Sequence, residues 1–276
     1  MTGAVVTEQQ SIIEALGVAR EFDVASETSR RIEFLAAYLR AAGLETYVLG
    51  ISGGVDSLAA GLMAQRAVQD LRGRGYNARF IAVRLPYGVQ ADDADAQRAL
   101  DAIAADEVHR VNIKPAADAM LASVRAAGVE LGSAARTDFL LGNIKARQRM
   151  IAQYAIAGAM RGLVIGTDHA AEALMGFFTK HGDGAADVLP LSGLNKRRVR
   201  VVAAQLGAPP DLVMKIPTAD LETLVPLRPD EDAYGVSYEQ IDDFLEGKPI
   251  DEVAEARILQ AYTASAHKRS LAMSPP

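Results

Sequence analysis

Short apolar segments alternate with longer stretches of helical periodicity along most of the chain. Four of the short segments are partly β-branched and predict buried parallel strands, at residues 46–51, 79–85, 108–113 and 163–165. The longer stretches are rich in Ala and have apolar residues at the spacing of amphipathic helices. The predicted helices cover residues 28–42, 58–72, 91–104, 116–126 and 137–160.

This alternation of strand and helix is typical of an α/β fold. It predicts an open, doubly wound parallel sheet flanked by helices, with a Rossmann-like topology. A chain of 276 residues can bury its core in one such unit, so we expect residues 1–276 to form a single domain. Ligands of sheets of this kind gather at the carboxyl ends of the strands.

The second half of the chain departs from this regular pattern. Residues 176–193 are rich in Gly, Asp and Phe without periodicity, and residues 209–238 contain five prolines. Both stretches predict long irregular segments, which in compact domains are more often functional than structural. A last helix is predicted at residues 250–265.

Charge and composition exclude several functional classes. The chain has 29 Lys and Arg against 35 Asp and Glu, so its net charge of −6 gives no bulk attraction for nucleic acid. It has no cysteine, which excludes disulfides, thiolate metal sites and a cysteine amidotransferase within this chain. No apolar run reaches the roughly 18 residues that span a membrane. We therefore expect a cytoplasmic protein that acts on small molecules.

One segment, GISGGVDS at residues 50–57, lies directly after the first predicted strand and directly before a helix. A helix that begins there offers unpaired backbone N–H groups and the positive end of its dipole to an anion. Gly53 and Gly54 allow the backbone to approach that anion closely, and the two serines add hydroxyl donors. Asp56 can hold a magnesium ion against the anion. The segment therefore predicts a phosphate-binding loop, and a capped turn without a ligand is the alternative.

This loop is neither a Walker loop nor the dinucleotide fingerprint. It resembles the pyrophosphate loop of the N-type ATP pyrophosphatases, which cleave ATP between the α- and β-phosphates to adenylate a carbonyl oxygen. Five further blocks are similar, in order, to the signature blocks of the ammonia-dependent NAD⁺ synthetases. These blocks are residues 83–88, 142–147, 166–172, 176–184 and 217–222. With the loop they cover most of the chain from Val48 to Lys268, and they imply the adenine nucleotide α hydrolase-like fold.

The resemblance implies an ATP-dependent ligase that forms a C–N bond. In this reaction the carboxylate of deamido-NAD⁺ attacks the α-phosphorus of ATP, pyrophosphate leaves, and ammonia then displaces AMP to give NAD⁺. Adenylation supplies the leaving group that a carboxylate lacks. Because the chain has no cysteine and no glutaminase domain, free ammonia or a separate protein is the implied nitrogen source.

The resemblance also assigns residues to magnesium and ATP. Asp56 and Glu172 are the implied magnesium ligands, since this ion accepts one or two carboxylates and completes its shell with phosphate oxygens and water. Lys196 is implied to place a positive charge on phosphate, whereas composition alone favours a solvated lysine in the run Lys196-Arg197-Arg198. The implied ATP contacts are Gly50, Ile51, Ser52, Gly53, Gly54, Val55, Asp56, Ser57, Arg84, Thr167, Lys196 and Thr218.

A further set of residues matches the family positions that hold the dinucleotide. Several of them share one face of a predicted helix, which fits a ligand surface or an interface with a second helix. Both interpretations can hold, because in this family the dinucleotide lies across a homodimer interface. The implied deamido-NAD⁺ contacts are Asn143, Arg147, Tyr154, Lys180, Asp187, His267 and Lys268.

The identity of a base for incoming ammonium is left open between Asp187 and Asp183. With Asp187, the expected catalytic set is Asp56, Lys196 and Asp187. His169 follows a strand end and is expected to orient the site, while His109 and His181 are expected to be structural or surface residues.

Two positions depart from the family pattern, Val55 where many relatives have Gln and Asn195 where Thr is common. Neither side chain is expected to be essential, because the loop works mainly through backbone donors. Two alternatives to NAD⁺ synthesis stay open. One is another N-type ATP pyrophosphatase, with GMP synthetase-like amidation or tRNA thiolation, although thiolation usually needs cysteine and a basic surface. The other is a non-catalytic nucleotide-binding module, which has no need of Asp56, Glu172 and Lys196 together.

Overall fold

The computed structural model describes residues 7–88, 93–219, 223–224 and 228–275. Within these residues a four-stranded parallel sheet lies between layers of helices, which confirms the predicted α/β fold. The strands are β1 Thr46–Gly50, β2 Arg79–Arg84, β3 Glu107–Arg110 and β4 Gly162–Val164.

The strands lie in the order β3-β2-β1-β4. Thr46 of β1 is in register with Arg79 of β2 on one side and with Gly162 of β4 on the other. The strand order therefore reverses at β1, and such a reversal opens a crevice at the carboxyl ends of the two adjacent strands. A bridge between Ile165 and Val188 ties the irregular segment after β4 to the same edge of the sheet.

The helices that flank the sheet were largely predictable from the apolar pattern. Five were predicted within a few residues, apart from positions 91–92, which lie outside the described residues. The helices that precede β4 are α1 Glu8–Ala15, α2 Val24–Ala41, α3 Val55–Gly73, α4 Asp93–Ile103, α5 Lys114–Ala126 and α6 Ala134–Ala159.

The second half is more helical than predicted. The segment 209–238 was expected to be irregular, but it contains two short helices and the start of a third, as well as a two-stranded antiparallel pair, β5 Thr218–Ala219 with β6 Arg228–Pro229. The helices after β4 are α7 Ala170–Met175, α8 Lys196–Gln205, α9 Pro210–Val213, α10 Asp230–Tyr234, α11 Tyr238–Leu245, α12 Glu252–Ala264 and α13 Ala266–Arg269.

The two faces of the sheet are buried against different helices. Along β1, Tyr47 and Leu49 join a core formed with α2, α3 and α8, whereas Val48 joins a smaller core on the side of α6. This alternation is the period of two that a strand buried on both faces requires. None of the described helices is long and apolar enough to cross a membrane.

A third apolar cluster lies beyond the edge of the sheet. It joins α1, α7, α11 and α12 through buried side chains that include Ile12, Leu174, Ile241 and Ile258. Because α11 also packs against α8, this cluster fixes the position of the helix that begins at Lys196.

Candidate active site

A cavity of about 410 Å³ opens at the carboxyl ends of β1 and β4, where the strand order reverses. Its walls come from the loop after β1, one face of α6, residues in the range 176–185, the start of α8, and the segments around β5 and β6. The cavity therefore lies where a doubly wound sheet is expected to bind its ligand.

The predicted phosphate-binding loop forms the floor of this cavity. α3 begins after Gly54, and no side chain among the described residues caps its N-terminus. The Ser52 hydroxyl accepts a hydrogen bond from the Gly54 N–H at 3.2 Å, and the Ser57 hydroxyl donates to the Gly54 carbonyl at 3.1 Å. The hydroxyls thus shape the turn while the helix N-terminus faces the cavity.

The turn of the loop depends on glycine at one position. Gly53 has a φ of +89°, and a Cβ at this position would lie 2.8 Å from the backbone nitrogen of Ala96 on α4. Only glycine accepts both the backbone conformation and this close approach. The loop is also tied to α6, because the Gly50 N–H donates to the Gln153 side-chain oxygen at 2.7 Å.

Lys196, the first residue of α8, reaches the foot of this loop. Its ammonium contacts both carboxylate oxygens of Asp56, at 3.0 and 2.8 Å, and its side chain is only 1% exposed. The predicted ATP contact and the predicted magnesium ligand therefore form an ion pair. Burial by itself would raise the pKa of Asp56, but Lys196 and His169 outweigh it and leave this pKa below its ordinary value.

His169 and Glu172 complete the group of charges. The His169 Nε2 atom lies 3.5 Å from an Asp56 oxygen and 3.6 Å from a Glu172 oxygen. Its Nδ1 atom accepts the Glu172 N–H at 3.4 Å and so caps α7. Burial lowers the pKa of His169 to about 3.

Glu172 is the unusual acid of this group. Burial and the neighbouring Asp56 carboxylate raise the pKa of Glu172 well above its ordinary value. Because two carboxylates this close repel each other, a divalent cation placed between them would relieve the repulsion.

Arg84, Thr167 and Thr218 also line the cavity, as do all loop residues from 50 to 57 except Gly53. The Arg84 guanidinium is buried and donates to the Ile51 carbonyl and, at 3.0 Å, to Asp93. It therefore holds the loop against α4. Of the block at residues 217–222, positions 220–222 lie outside the described residues.

The residues assigned to the dinucleotide are divided between the cavity and its surroundings. Asn143 and Lys268 line the cavity, and the Lys268 ammonium donates to the Gly176 carbonyl at 2.8 Å. The other five are not among the described residues that line it. These five are Arg147, Tyr154, Lys180, Asp187 and His267.

These five residues form two contact groups. In the first, Arg147 donates to the Lys180 carbonyl at 3.2 Å, and the Lys180 ammonium donates to the His267 carbonyl at 2.5 Å. In the second, Asp187 accepts the Val164 N–H at 2.7 Å, and burial together with the nearby Asp187 carboxylate raises the pKa of the Tyr154 hydroxyl. The second group lies at the end of β4, where Asp187 holds the edge strand.

Asp183, the other candidate base, does line the cavity, and its carboxylate accepts the Thr179 N–H at 2.9 Å. Nearby Asp168 lies at the end of β4. Burial, together with Asp183 and Asp56, raises the pKa of Asp168 to about 8. Asp168 and Asp183 thus add two further acids to the surroundings of Asp56 and Glu172.

Several contributors to the site were missed from the sequence. Gln153 on α6 supports the loop, and Asp242 on α11 accepts the backbone N–H of Lys196 at 3.0 Å. Lys215 lines the cavity and pairs with Asp95 of α4 at 2.7 Å. No local pattern marks these residues, because each acts on a segment far from it in the chain.

The donor atoms present fit magnesium. One ligand atom from each of Asp56, His169 and Glu172 falls within 4.8 Å of the others. Two of these three groups are carboxylates. This set matches the oxygen preference of magnesium and leaves the remaining positions for phosphate and water.

Comparison with known proteins finds similarity to one protein family over most of the chain. A family model described as NAD synthase matches residues 27–272. The chain is 64% identical over 265 residues to a protein of Burkholderia lata named NH(3)-dependent NAD(+) synthetase, covering 96% of this chain and 94% of that protein.

Two solved structures are similar over nearly the full length. The first, NAD⁺ synthetase from Burkholderia pseudomallei, has 60% identity and a TM-score of 0.84, with 97% of each chain covered. The second, NMN synthetase from Francisella tularensis, has 36% identity and a TM-score of 0.79, with 92% of this chain and 99% of that chain covered.

Proposed function

The chain belongs to the NAD synthase family, and we propose that its cavity uses ATP to convert the carboxylate of deamido-NAD⁺ to an amide, with ammonia as the nitrogen donor. The chain is thus an ATP-dependent ligase that forms a C–N bond. The observation that carries this proposal is the ion pair between Asp56 of the phosphate loop and Lys196, with Glu172 beside it, at the floor of one cavity.

The reaction has two steps. First, a carboxylate oxygen of deamido-NAD⁺ attacks the α-phosphorus of ATP, an O–P bond forms, and the bond to the β-phosphate oxygen breaks to release pyrophosphate. Ammonia then attacks the carbonyl carbon, the C–O bond to AMP breaks, and the nitrogen loses one proton. NAD⁺ and AMP are the products, and no oxidant or reductant is needed.

The N-terminus of α3 and the loop from Gly50 to Ser57 are proposed to hold the phosphates. Backbone N–H groups aimed at the phosphates need no reorganisation when negative charge develops during attack. Lys196 supplies a positive charge at the same place, and its burial strengthens the interaction. Arg84, Thr167 and Thr218 are proposed as further ATP contacts, since all three line the cavity.

We propose that Asp56 and Glu172 hold a magnesium ion. When bound, the ion would neutralise phosphate charge and orient the leaving pyrophosphate. The raised pKa of Glu172 supports this role, because a cation is what would let this buried acid ionise.

The dinucleotide is proposed to contact Asn143 and Lys268 in the cavity and to extend along Arg147, Lys180 and His267. Tyr154 and Asp187 are proposed to contact it at the end of β4. Asp187 and Asp183 remain the candidates for the base that takes the ammonium proton, and the position of Asp183 on the cavity wall favours Asp183.

We propose that the chain acts as a single domain and assembles as a homodimer through α6. This long helix carries the exposed apolar side chains Phe139 and Ile151, which are 45% and 52% accessible. It also carries Arg147 and Tyr154, so a second copy packed on α6 would enclose a dinucleotide that leaves the cavity. Because ATP is an intracellular metabolite, the proposed location is the cytoplasm.

A second acceptor substrate has specific support. The similarity to the NMN synthetase of Francisella tularensis raises nicotinate mononucleotide as an alternative acceptor for the same chemistry. It ranks second, because identity to that protein is 36% whereas identity to the protein of Burkholderia lata is 64%.

The test is an assay of the purified chain with ATP, magnesium and ammonium chloride, together with deamido-NAD⁺, nicotinate mononucleotide or xanthosine monophosphate. The proposal predicts NAD⁺ and AMP in equal amounts, and the highest kcat/KM with deamido-NAD⁺. Preference for either other acceptor would move the assignment to that amidation. Binding of ATP without AMP formation in any mixture would identify a non-catalytic nucleotide-binding module.

A further inference from the structure

The backbone of Lys196 is held in place by α11, and no described residue of α11 lines the cavity. The Asp242 carboxylate, on α11, accepts the Lys196 N–H with one oxygen at 3.0 Å and the Arg197 N–H with the other at 2.7 Å. These are two of the first N–H groups of α8, which have no partner within their own helix. A carboxylate at a helix N-terminus also interacts favourably with the helix dipole. Asp242 therefore fixes the main chain from which the Lys196 side chain extends.

Tyr238 lies one helical turn before Asp242 on the same face of α11. Its ring lies 5.0 Å from the Lys196 ammonium, in a cation–π arrangement. Its hydroxyl donates to Asp230 at 2.9 Å and lies 3.1 Å from the Tyr234 hydroxyl. The ring is therefore itself held in place, and Asp230 connects it to the cavity wall.

We propose that Asp242 and Tyr238 are positioning residues that set the place of the Lys196 ammonium on the phosphates of ATP. Asp242 fixes the main chain and Tyr238 limits the movement of the ammonium. Neither residue is among the described residues that line the cavity, so both act through Lys196. This role rests on the proposed function, in which Lys196 contacts ATP.

The Lys196 ammonium needs such support to stay in one position. A lysine side chain has four rotatable bonds and loses its rotational freedom when its ammonium is fixed. A displacement of about 1 Å at a reacting group can reduce the rate by roughly 100-fold. The ion pair with Asp56 alone does not fix Lys196, because Asp56 also has to serve the metal.

The first test compares Asp242→Asn with Asp243→Asn. Both remove one negative charge from neighbouring positions of α11, but the Asp243 carboxylate pairs, within the described part of the chain, with the side chains of Arg197 and Lys248. Asp242→Asn should lower kcat for pyrophosphate release by about 10- to 100-fold and leave the KM for ammonium within about twofold. Asp243→Asn should keep both kcat and the KM for ammonium within about twofold of the wild-type values. Equal kinetics in the two variants would overturn the proposal.

A double-mutant cycle then separates positioning from a general structural role. The affinity for ATP is measured for wild type, Asp242→Asn, Lys196→Ala and the double variant. If Asp242 acts through Lys196, Asp242→Asn weakens binding in the wild-type background and has no further effect in the Lys196→Ala background. The same weakening in both backgrounds, or none in either, would overturn the proposal.

Tyr238→Phe and Tyr238→Leu test the ring. Tyr238→Phe keeps the ring and should retain kcat within about threefold, whereas Tyr238→Leu should lose about tenfold per folded molecule. Equal kcat in these two variants would exclude a role for the ring. Because the ATP-binding cycle does not need turnover, it decides the role of Asp242 even if wild type forms no NAD⁺, a result that would remove only the proposed reaction.

Discussion

Lys196 and Asp56 are 140 residues apart in the chain, and yet the Lys196 ammonium contacts both oxygens of the Asp56 carboxylate. The ammonium is almost fully buried, while the carboxylate keeps 19% exposure toward the cavity. The pair therefore joins the start of α3, which follows the predicted phosphate-binding loop, to the start of α8. Removing either partner leaves a charge inside the protein.

Asp56→Ala should abolish pyrophosphate release and also destabilise the fold. An exposed lysine at position 196 would leave the fold of this variant intact, but Lys196 is buried against Asp56. An uncompensated buried charge costs about 3 to 5 kcal/mol, so a large decrease in the free energy of unfolding is expected. Urea unfolding measures it. The double variant Asp56→Ala/Lys196→Met should recover much of the stability without activity, and a double variant as unstable as Asp56→Ala would contradict this account.

The fold and the glycine turn between β1 and α3 could be predicted because their signals are local. Each strand is a short apolar run, and the loop lies between a strand and a helix in sequence as in space. The role of Lys196 could not be predicted in this way. Within the run Lys196-Arg197-Arg198 it looks solvated, and only resemblance to a family marks it.

Helix α8 and the role of Asp242 on α11 were also missed from the sequence. The basic residues that begin α8 mask the apolar face formed by Val199, Val202 and Ala203. Asp242 accepts hydrogen bonds from backbone N–H groups, and every residue except proline has such a group, so the sequence does not indicate its partners. Contacts between distant segments are therefore the part of this site that local patterns do not reveal.

Glu172→Gln should raise the stability of the protein and lower its activity. Burial and Asp56 oppose ionisation of Glu172, so a neutral isosteric side chain should raise the free energy of unfolding by about 1 kcal/mol without magnesium. The same change removes a proposed metal ligand, so magnesium-dependent pyrophosphate release should fall by at least about 100-fold. Thermal unfolding with and without magnesium and ATP checks both effects. A variant that is less stable and still active would contradict the assignment.

Gly53→Ala should damage the phosphate loop. The substitution places a methyl group 2.8 Å from the Ala96 backbone nitrogen and strains a residue with a φ of +89°. A loss of about 1 to 3 kcal/mol of stability and weaker binding of ATP are expected. Gly73→Ala, at the end of α3, is the matched control, because an added Cβ there meets nothing within 4 Å. That control should be neutral or stabilising by up to about 1 kcal/mol, and equal behaviour of the two variants would argue against the strain.

The Asp242 carboxyl gives a pH dependence of stability. Burial raises the pKa of this group to about 6 against an ordinary value of 3.8, although the N–H groups of Arg197 and Lys196 oppose the rise. The folded protein therefore binds a proton near pH 5 that the unfolded chain does not. The resulting contribution to stability is full below about pH 4 and is lost as the pH rises through about 6.

Relative to Asp242→Asn, wild type should lose up to about 1.4 kcal/mol of unfolding free energy per pH unit between pH 4 and 6. Urea unfolding of both proteins at pH 4, 5, 6 and 7 measures the difference. A difference that stays constant across this range would show that Asp242 titrates at its ordinary pKa.

The cavity draws its charged groups from α3, α7 and α8, and α8 in turn depends on Asp242 on α11. A ribosome delivers these segments in order, and a domain generally folds as a unit. A nascent chain that has emerged only as far as α8 would carry the glycine loop and the lysine but not the helix that holds that lysine. Catalytic activity is therefore expected only after α11 has been synthesised, and a chain terminated before α11 should be inactive.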